Sequence, residues 1–202
     1  HTVCVAPDVS GSMSGMVSDK GTTRYIDVAG IFAGALMKRI EGRGIVLPFE
    51  QRVITDTSLS FRDDVLVTSE KLAQIGGGGT AVGAPIQHLL DRKISVDVFI
   101  GITDNEDWCY GDDGYSTRGS FLSLWRSYRK EVSPNAKAFL ITIAPYRDAV
   151  APAGEKGVHF IYGWSDQVLQ YISLSLEDGT SQTQMIEQMK LPDLQSLATP
   201  RE

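Results

Sequence analysis

Short apolar runs alternate along the chain with segments whose apolar residues recur at helical spacing. The first pattern is typical of buried strands and the second of amphipathic helices. Strands are predicted from Val3 onward and over residues 45–49, 53–57, 96–103, 138–143 and 158–162. Helices are predicted over residues 26–40, 69–75, 84–92, 120–130 and 167–176. This alternation predicts an α/β fold in which helices cover both faces of a mostly parallel sheet.

A short connection between two predicted strands and a separate C-terminal tail refine the prediction. The strands at 45–49 and 53–57 are joined by a connection too short for a parallel crossover, so we expect them to pair antiparallel at an edge of the sheet. Residues 177–202 form a separate, partly apolar tail. We therefore expect one domain over 1–176, and a partly helical tail over 177–202 that docks on this domain or on a missing neighbour.

Composition narrows the class of protein. The 202 residues carry 19 Lys and Arg against 25 Asp and Glu, and the net charge of −6 argues against strong nucleic-acid binding by this chain alone. Cys4 and Cys109 do not make a disulfide framework, and they favour a reducing, cytoplasmic location. No signal-peptide pattern and no membrane-spanning apolar run is present. Because the sequence begins almost on its first strand, we expect a longer parent protein.

The first predicted strand leads into an Asp-x-Ser-x-Ser segment, Asp8 to Ser12. Alternation along an extended segment turns Asp8, Ser10 and Ser12 toward one side, where three oxygen atoms can converge. Oxygen donors of this kind suit a small, hard cation such as Mg²⁺, which takes only one or two carboxylates. The segment alone is a common arrangement of small polar residues, so its meaning depends on further ligands.

Two further oxygen ligands come from distant parts of the chain. The strand at 96–103 ends at Asp104, and the loop 76–80 carries Thr80 after four consecutive glycines. Ligands in such sheets bind outside the carboxyl ends of the strands, where the strand order reverses. We therefore expect Asp8, Ser10, Ser12, Thr80 and Asp104 to meet at one mouth. The glycines alternatively make a flexible loop or a phosphate-binding cradle, although the Walker and dinucleotide patterns are absent.

These residues in this order resemble the metal-ion-dependent adhesion site of a von Willebrand factor A domain. The resemblance covers roughly residues 2–176 and implies a Rossmann-like three-layer sandwich, with sheet order 3-2-1-4-5-6 and only the third strand antiparallel. The Thr103-Asp104-Asn105-Glu106 segment, the helix near Tyr128 and the strand that follows are similar to the A domain of Ro (TROVE) ribonucleoproteins, including bacterial orthologues.

The resemblance also implies a function. Ser10, Ser12 and Thr80 would contact Mg²⁺ (or Mn²⁺ or Ca²⁺) through their hydroxyls, while Asp8 and Asp104 would balance its charge, partly through water. One coordination position would remain for a carboxylate from a protein or another ligand. In Ro proteins this domain accompanies helical repeats that hold small non-coding RNAs in RNA quality control. Because this chain has no such repeats, RNA binding would belong to a missing domain.

We expect Gly79, Asn105, Glu106 and Trp108 to line the mouth of the site. The acidic residues after Asp104 alternatively form a solvated loop, and its aromatic residues alternatively form a lid over apolar surface.

An enzymatic alternative would use Asp8 as a phosphoryl-accepting nucleophile. Such enzymes need a second acid two residues on, or a nearby lysine, and here Ser10 takes the first place and none of the three loops carries a lysine. We therefore expect a non-catalytic binding domain. An intracellular A domain that partners an ATPase is the alternative within that class.

Overall fold

The computed structural model describes residues 1–40, 44–104, 117–144 and 154–175. The strands are β1 (Val3–Pro7), β2 (Gly44–Val46), β3 (Val98–Thr103), β4 (Lys137–Thr142) and β5 (Val158–Tyr162). The helices are α1 (Tyr25–Ile40), α2 (Val65–Leu72), α3 (Ala84–Asp91), α4 (Phe121–Glu131) and α5 (Asp166–Ser175), and a 3-10 turn spans Gly11–Ser14. None of the helices in these four ranges is long and apolar enough to cross a membrane.

The five strands form one sheet in the order β2-β1-β3-β4-β5, and every neighbouring pair is parallel. The α/β class and the relative order of these strands are confirmed. β1 lies between β2 and β3, with Pro7 opposite Ile102, so both of these strands end at the same edge of the sheet. This edge receives the segments that carry Asp8 and Asp104.

The expected antiparallel edge strand at 53–57 is wrong, because the structure has no strand there. Antiparallel pairing is limited to one bridge between Phe49 and Val53 and a hydrogen bond from the Ile54 amide to the Pro48 carbonyl, 2.8 Å long. Beyond Ile54 the sequence becomes polar, and Thr55 is exposed. Such a segment has no apolar face to bury, and pairing therefore stops after one bridge.

The expected helix at 69–75 is shifted, since α2 covers Val65–Leu72. Asp64 caps it, and its Oδ1 accepts a hydrogen bond from the Leu66 amide at 3.0 Å. This cap satisfies a donor of the first helical turn and so fixes the start of the helix. Leu66 and Val67 are exposed, which explains why apolar spacing alone did not locate this end.

The start of β3 is anchored by an aromatic cluster on α4. Phe121 and Trp125 stack with their centroids 6.2 Å apart, and Trp125 and Tyr128 stack at 5.7 Å. The Tyr128 hydroxyl accepts from the Val96 amide at 2.8 Å and donates to the Ile94 carbonyl at 3.0 Å. This anchor holds the chain just before β3, at the end of the strand opposite Asp104.

The chain divides into two compact units after Trp164. Residues 1–164 hold the five-stranded sheet and the candidate site. α5 belongs to the second unit. The division of the chain into a domain over 1–176 and a tail over 177–202 stays a prediction, and the tail lies outside the described residues.

Candidate metal centre

Asp8 lies directly after β1 and is completely buried. Its amide donates to the Ile102 carbonyl of β3 at 2.8 Å, which fixes its backbone against the neighbouring strand. Its Oδ1 accepts from the Ser10 amide at 2.9 Å, and its Oδ2 accepts from the Thr103 hydroxyl at 2.7 Å. The carboxylate is thus held at both oxygens in one orientation.

Burial, with a smaller contribution from the negative charge of Asp104, raises the pKa of Asp8 to about 7 against the lowering effect of hydrogen bonds from Ser10 and Thr103. The influence of Asp104 indicates that the two buried carboxyl groups lie within electrostatic range of each other. No lysine, arginine or histidine in the described part of the chain forms an ion pair with Asp8. A cation bound beside Asp8 would supply a compensating positive charge.

Ser10 and Ser12 present their hydroxyls beside Asp8. Their Oγ atoms are 3.1 Å apart, at the point where the backbone enters the 3-10 turn Gly11–Ser14. Two adjacent oxygen ligands of octahedral Mg²⁺, each about 2.1 Å from the ion, lie about 3.0 Å from each other. The spacing of the serine hydroxyls therefore fits two neighbouring coordination positions.

The glycine loop is bound directly to the Asp-x-Ser-x-Ser segment. The Gly11 amide donates to the Gly78 carbonyl at 2.8 Å, and the Gly77 amide donates to the Val9 carbonyl at 2.9 Å. Gly76 has φ +84°, and a Cβ there would lie 2.2 Å from the Val9 oxygen, so only glycine allows this approach. Thr80 follows in the same loop and is buried.

The structure thus brings Asp8, Ser10 and Ser12 into direct contact, with Asp104 within electrostatic range of Asp8 and the Thr80 loop bonded to the same segment. Gly79 lies in that loop. Asn105, Glu106 and Trp108, predicted at the mouth, lie outside the described residues, as does Cys109. Cys4 is a buried free thiol, with a pKa that burial raises strongly.

The donor set fits a hard cation and not a soft one. Within ranges 1–40, 44–104, 117–144 and 154–175, no three His, Cys, Asp or Glu side chains form a cluster that could hold a metal ion. The site instead combines two carboxylates with neutral hydroxyls, which is the oxygen chemistry that Mg²⁺ and Ca²⁺ prefer.

Sequence reasoning missed two residues at this site, Thr103 and Glu50. Thr103 precedes Asp104 and, in register, lies beside Asp8, so the strand pairing could have identified it once β1 and β3 were known to be neighbours. Glu50 accepts a hydrogen bond from the Gly78 amide at 2.8 Å. No motif marks it, because its contact joins segments 28 residues apart.

A groove of about 540 Å³ begins at Glu50 and extends along α3. Its two carboxylates are engaged, Glu50 by the Gly78 amide and Asp91 by Arg118. Arg52 and Arg92 also line it. The groove therefore carries charges of both signs beside the glycine loop, because a hydrogen bond from an amide does not neutralise the Glu50 carboxylate.

The family model described as "Ro60 vWA domain" matches residues 2–174. The chain belongs to the Ro60 vWA-domain family. This confirms the von Willebrand factor A and Ro assignments suggested by the Asp8, Thr80 and Asp104 segments. No curated protein is significantly similar to this Ro60-type domain in sequence.

Among the solved structures that share the fold of this Ro60-type domain are two bacterial proteins. The Ro (RSR) protein of Deinococcus radiodurans matches with a TM-score of 0.60 and 18% identity, over 81% of this chain and 32% of that protein. An aerotolerance-related membrane protein from Bacteroides fragilis matches with a TM-score of 0.50 and 12% identity, over 92% of this chain and 98% of that one. The chain thus spans about a third of the Ro protein it matches.

Proposed function

We propose that this domain binds a divalent cation, in the first place Mg²⁺, through Asp8, Ser10, Ser12, Thr80 and Asp104. Mn²⁺ and Ca²⁺ are the alternatives of similar ligand chemistry. Through the cation the domain would bind a carboxylate of a protein or another ligand, without catalysing a reaction. It would do so as part of a Ro-type RNA-binding protein in the cytoplasm.

One observation carries the proposal: two carboxyl groups, Asp8 and Asp104, are fully buried within electrostatic range of each other, beside two serine hydroxyls 3.1 Å apart. Buried charges of like sign are costly unless an opposite charge compensates them. A divalent cation supplies that charge. Without a cation, the buried Asp8 carboxyl would have to be protonated, since no basic side chain of the described residues forms an ion pair with it.

The residues of the chain have separate tasks in this proposal. The Ser10 amide and the Thr103 hydroxyl fix the orientation of the Asp8 carboxylate. The serine and threonine hydroxyls bind without adding charge, so the bound cation stays a strong acceptor for an outside carboxylate. Arg52 and Arg92, on the adjacent groove beside Glu50 and Asp91, would each offer a guanidinium group to the ligand.

The role in RNA handling follows from the family and not from this domain's own surface. The net charge of −6 is unfavourable for a polyanion such as RNA. We therefore assign small non-coding RNA, and its quality control, to a repeat domain elsewhere in the parent protein. The vWA domain would bind its partner through a single carboxylate placed on the cation.

Calorimetric titration of the metal-free domain with MgCl₂ tests the proposal. We expect one binding site per chain in the wild type and none in the Asp8→Asn variant. Identical titrations of the two proteins would reject the site. Phosphatase or nuclease turnover that disappears in the same variant would reject the non-catalytic assignment.

A further inference from the structure

We propose that Glu50 is a positioning residue that holds Thr80 in place for the cation. The inference rests on the proposed function and deepens it, because it assigns a role to a residue outside the ligand set. It is carried by two hydrogen bonds that Glu50 makes on either side of Thr80, one through its side chain and one through its backbone.

Glu50 is itself fixed relative to Asp8. The preceding residue, Phe49, is buried and pairs with the Asp8 segment, since its amide donates to the Pro7 carbonyl at 3.0 Å and its carbonyl accepts from the Val9 amide at 2.8 Å. The Glu50 amide donates to the Arg52 carbonyl at 3.0 Å, which closes a tight turn. These hydrogen bonds therefore hold the Glu50 backbone beside the Asp8 segment.

From this position Glu50 holds the glycine loop at two points. Its Oε2 accepts from the Gly78 amide at 2.8 Å, and its carbonyl accepts from the Ala81 amide at 2.9 Å. Only Gly79 and Thr80 lie between these two points. On the opposite side Gly78 accepts from the Gly11 amide. Before Thr80, Gly78 is thus hydrogen-bonded to both Glu50 and Gly11. After Thr80, Ala81 is hydrogen-bonded to Glu50.

The sequence of the loop explains why such contacts are needed. Four consecutive glycines lose more conformational entropy on ordering than any other residues would. Mg²⁺ requires nearly ideal octahedral geometry, so a hydroxyl that moves with a free glycine loop binds it poorly. A carboxylate that accepts from the loop amide restricts this motion before the cation arrives. Supporting residues of this kind contribute about 10–100-fold to metal affinity in other sites.

Two substitutions of Glu50 distinguish its hydrogen bond to the glycine loop from the effect of its negative charge on Mg²⁺ affinity. In Glu50→Gln the side chain keeps its length and one oxygen that can accept from the Gly78 amide, so we expect Mg²⁺ affinity within about twofold of the wild type. In Glu50→Ala the acceptor is lost, and we expect affinity to fall about 10–100-fold. Glu131→Ala, which removes an exposed carboxylate of α4, is the matched control and should titrate like the wild type.

A double-mutant cycle tests whether Glu50 acts through Thr80. In a Thr80→Ala background the hydroxyl to be positioned is absent, so adding Glu50→Ala should cause no further loss of Mg²⁺ affinity. Hydrogen exchange at the Gly78 amide of the metal-free protein gives a second measurement. Exchange should be slow in the wild type and in Glu50→Gln, and at least tenfold faster in Glu50→Ala.

The outcomes separate this inference from the proposed function. If the wild type does not bind Mg²⁺, or Asp8→Asn binds it equally well, the proposed function itself fails. If those two proteins behave as expected but Glu50→Ala binds like the wild type, only the role of Glu50 is rejected. Equal losses in Glu50→Gln and Glu50→Ala, or additive losses with Thr80→Ala, also reject positioning.

Discussion

Replacing Asp8 by Asn should stabilise the metal-free protein and at the same time abolish its response to Mg²⁺. The Asp8 carboxyl is completely buried, and its pKa is raised from 3.8 to about 7. A carboxyl with a raised folded-state pKa favours folding at acidic pH, and this contribution is lost as the pH rises through the folded pKa. Ionised Asp8 therefore destabilises the metal-free fold above about pH 7.

The magnitude follows from the pKa shift. With 3.8 in the unfolded chain and about 7 in the folded one, linkage gives a loss of about 2–3 kcal/mol between pH 5 and pH 8. The asparagine side chain cannot ionise. Its oxygen can still accept from the Ser10 amide, and the Thr103 hydroxyl can turn to accept from its nitrogen.

Urea denaturation in EDTA at several pH values measures this effect. His88 and His159 have pKa values lowered mainly by burial, and they change stability with pH in the opposite sense. They are the same in both proteins, so the difference in unfolding free energy between variant and wild type isolates Asp8. We expect this difference to grow by about 2–3 kcal/mol, in favour of the variant, from pH 5 to pH 8.

Mg²⁺ gives the complementary measurement. At 100 times its dissociation constant, a ligand that binds only the folded state adds about 2.7 kcal/mol. Saturating MgCl₂ at pH 8 should therefore stabilise the wild type and leave the Asp8→Asn variant unchanged. A stability difference that does not vary with pH, or equal stabilisation of both proteins by Mg²⁺, would refute the argument that Asp8 is a buried carboxylate whose charge a bound cation compensates.

Three further substitutions test the surroundings of the site. Thr103→Val removes a hydrogen bond to a buried carboxylate and should cost about 1–3 kcal/mol in urea denaturation. Gly76→Ala should weaken Mg²⁺ binding in calorimetry because its Cβ would meet the Val9 oxygen, whereas Gly77→Ala, with nothing within 4 Å, should weaken it less. Tyr128→Phe leaves the buried Val96 amide without its acceptor and should cost about 1–3 kcal/mol without changing Mg²⁺ affinity.

The sequence was sufficient for the features that depend on local patterning. The end of β3 before Asp104 could be predicted because an uninterrupted apolar run stops there, and parallel strands place their carboxyl ends at one edge. The start of α2 could not, since it depends on the Asp64 cap and not on apolar spacing. The prediction of a strand at 53–57 was wrong for a related reason. Two adjacent apolar residues, Val53 and Ile54, do not show how many residues pair with the preceding segment, and only one bridge forms.

Non-local contacts within the site were equally hidden from the sequence. The Thr103 hydroxyl reaches Asp8 across 95 residues, and Glu50 reaches the Gly78 amide across 28. Both contacts require a known strand order and register before they can be foreseen. The ligand types, in contrast, were predicted from residue chemistry alone, because carboxylates and hydroxyls in three loops suit a hard cation, and this assignment stays a prediction.

The structure also argues against one interpretation of the glycine loop, the phosphate-binding cradle. A phosphate cradle needs free backbone amides that point at the anion, together with the first turn of a helix. Here the Gly77 amide donates to Val9 and the Gly78 amide donates to Glu50. The following helix begins only at Ala84, beyond Thr80. These two amides are therefore not available to an anion, and the contacts with Val9 and Gly11 hold the loop against the Asp8 segment, as the proposed metal site requires.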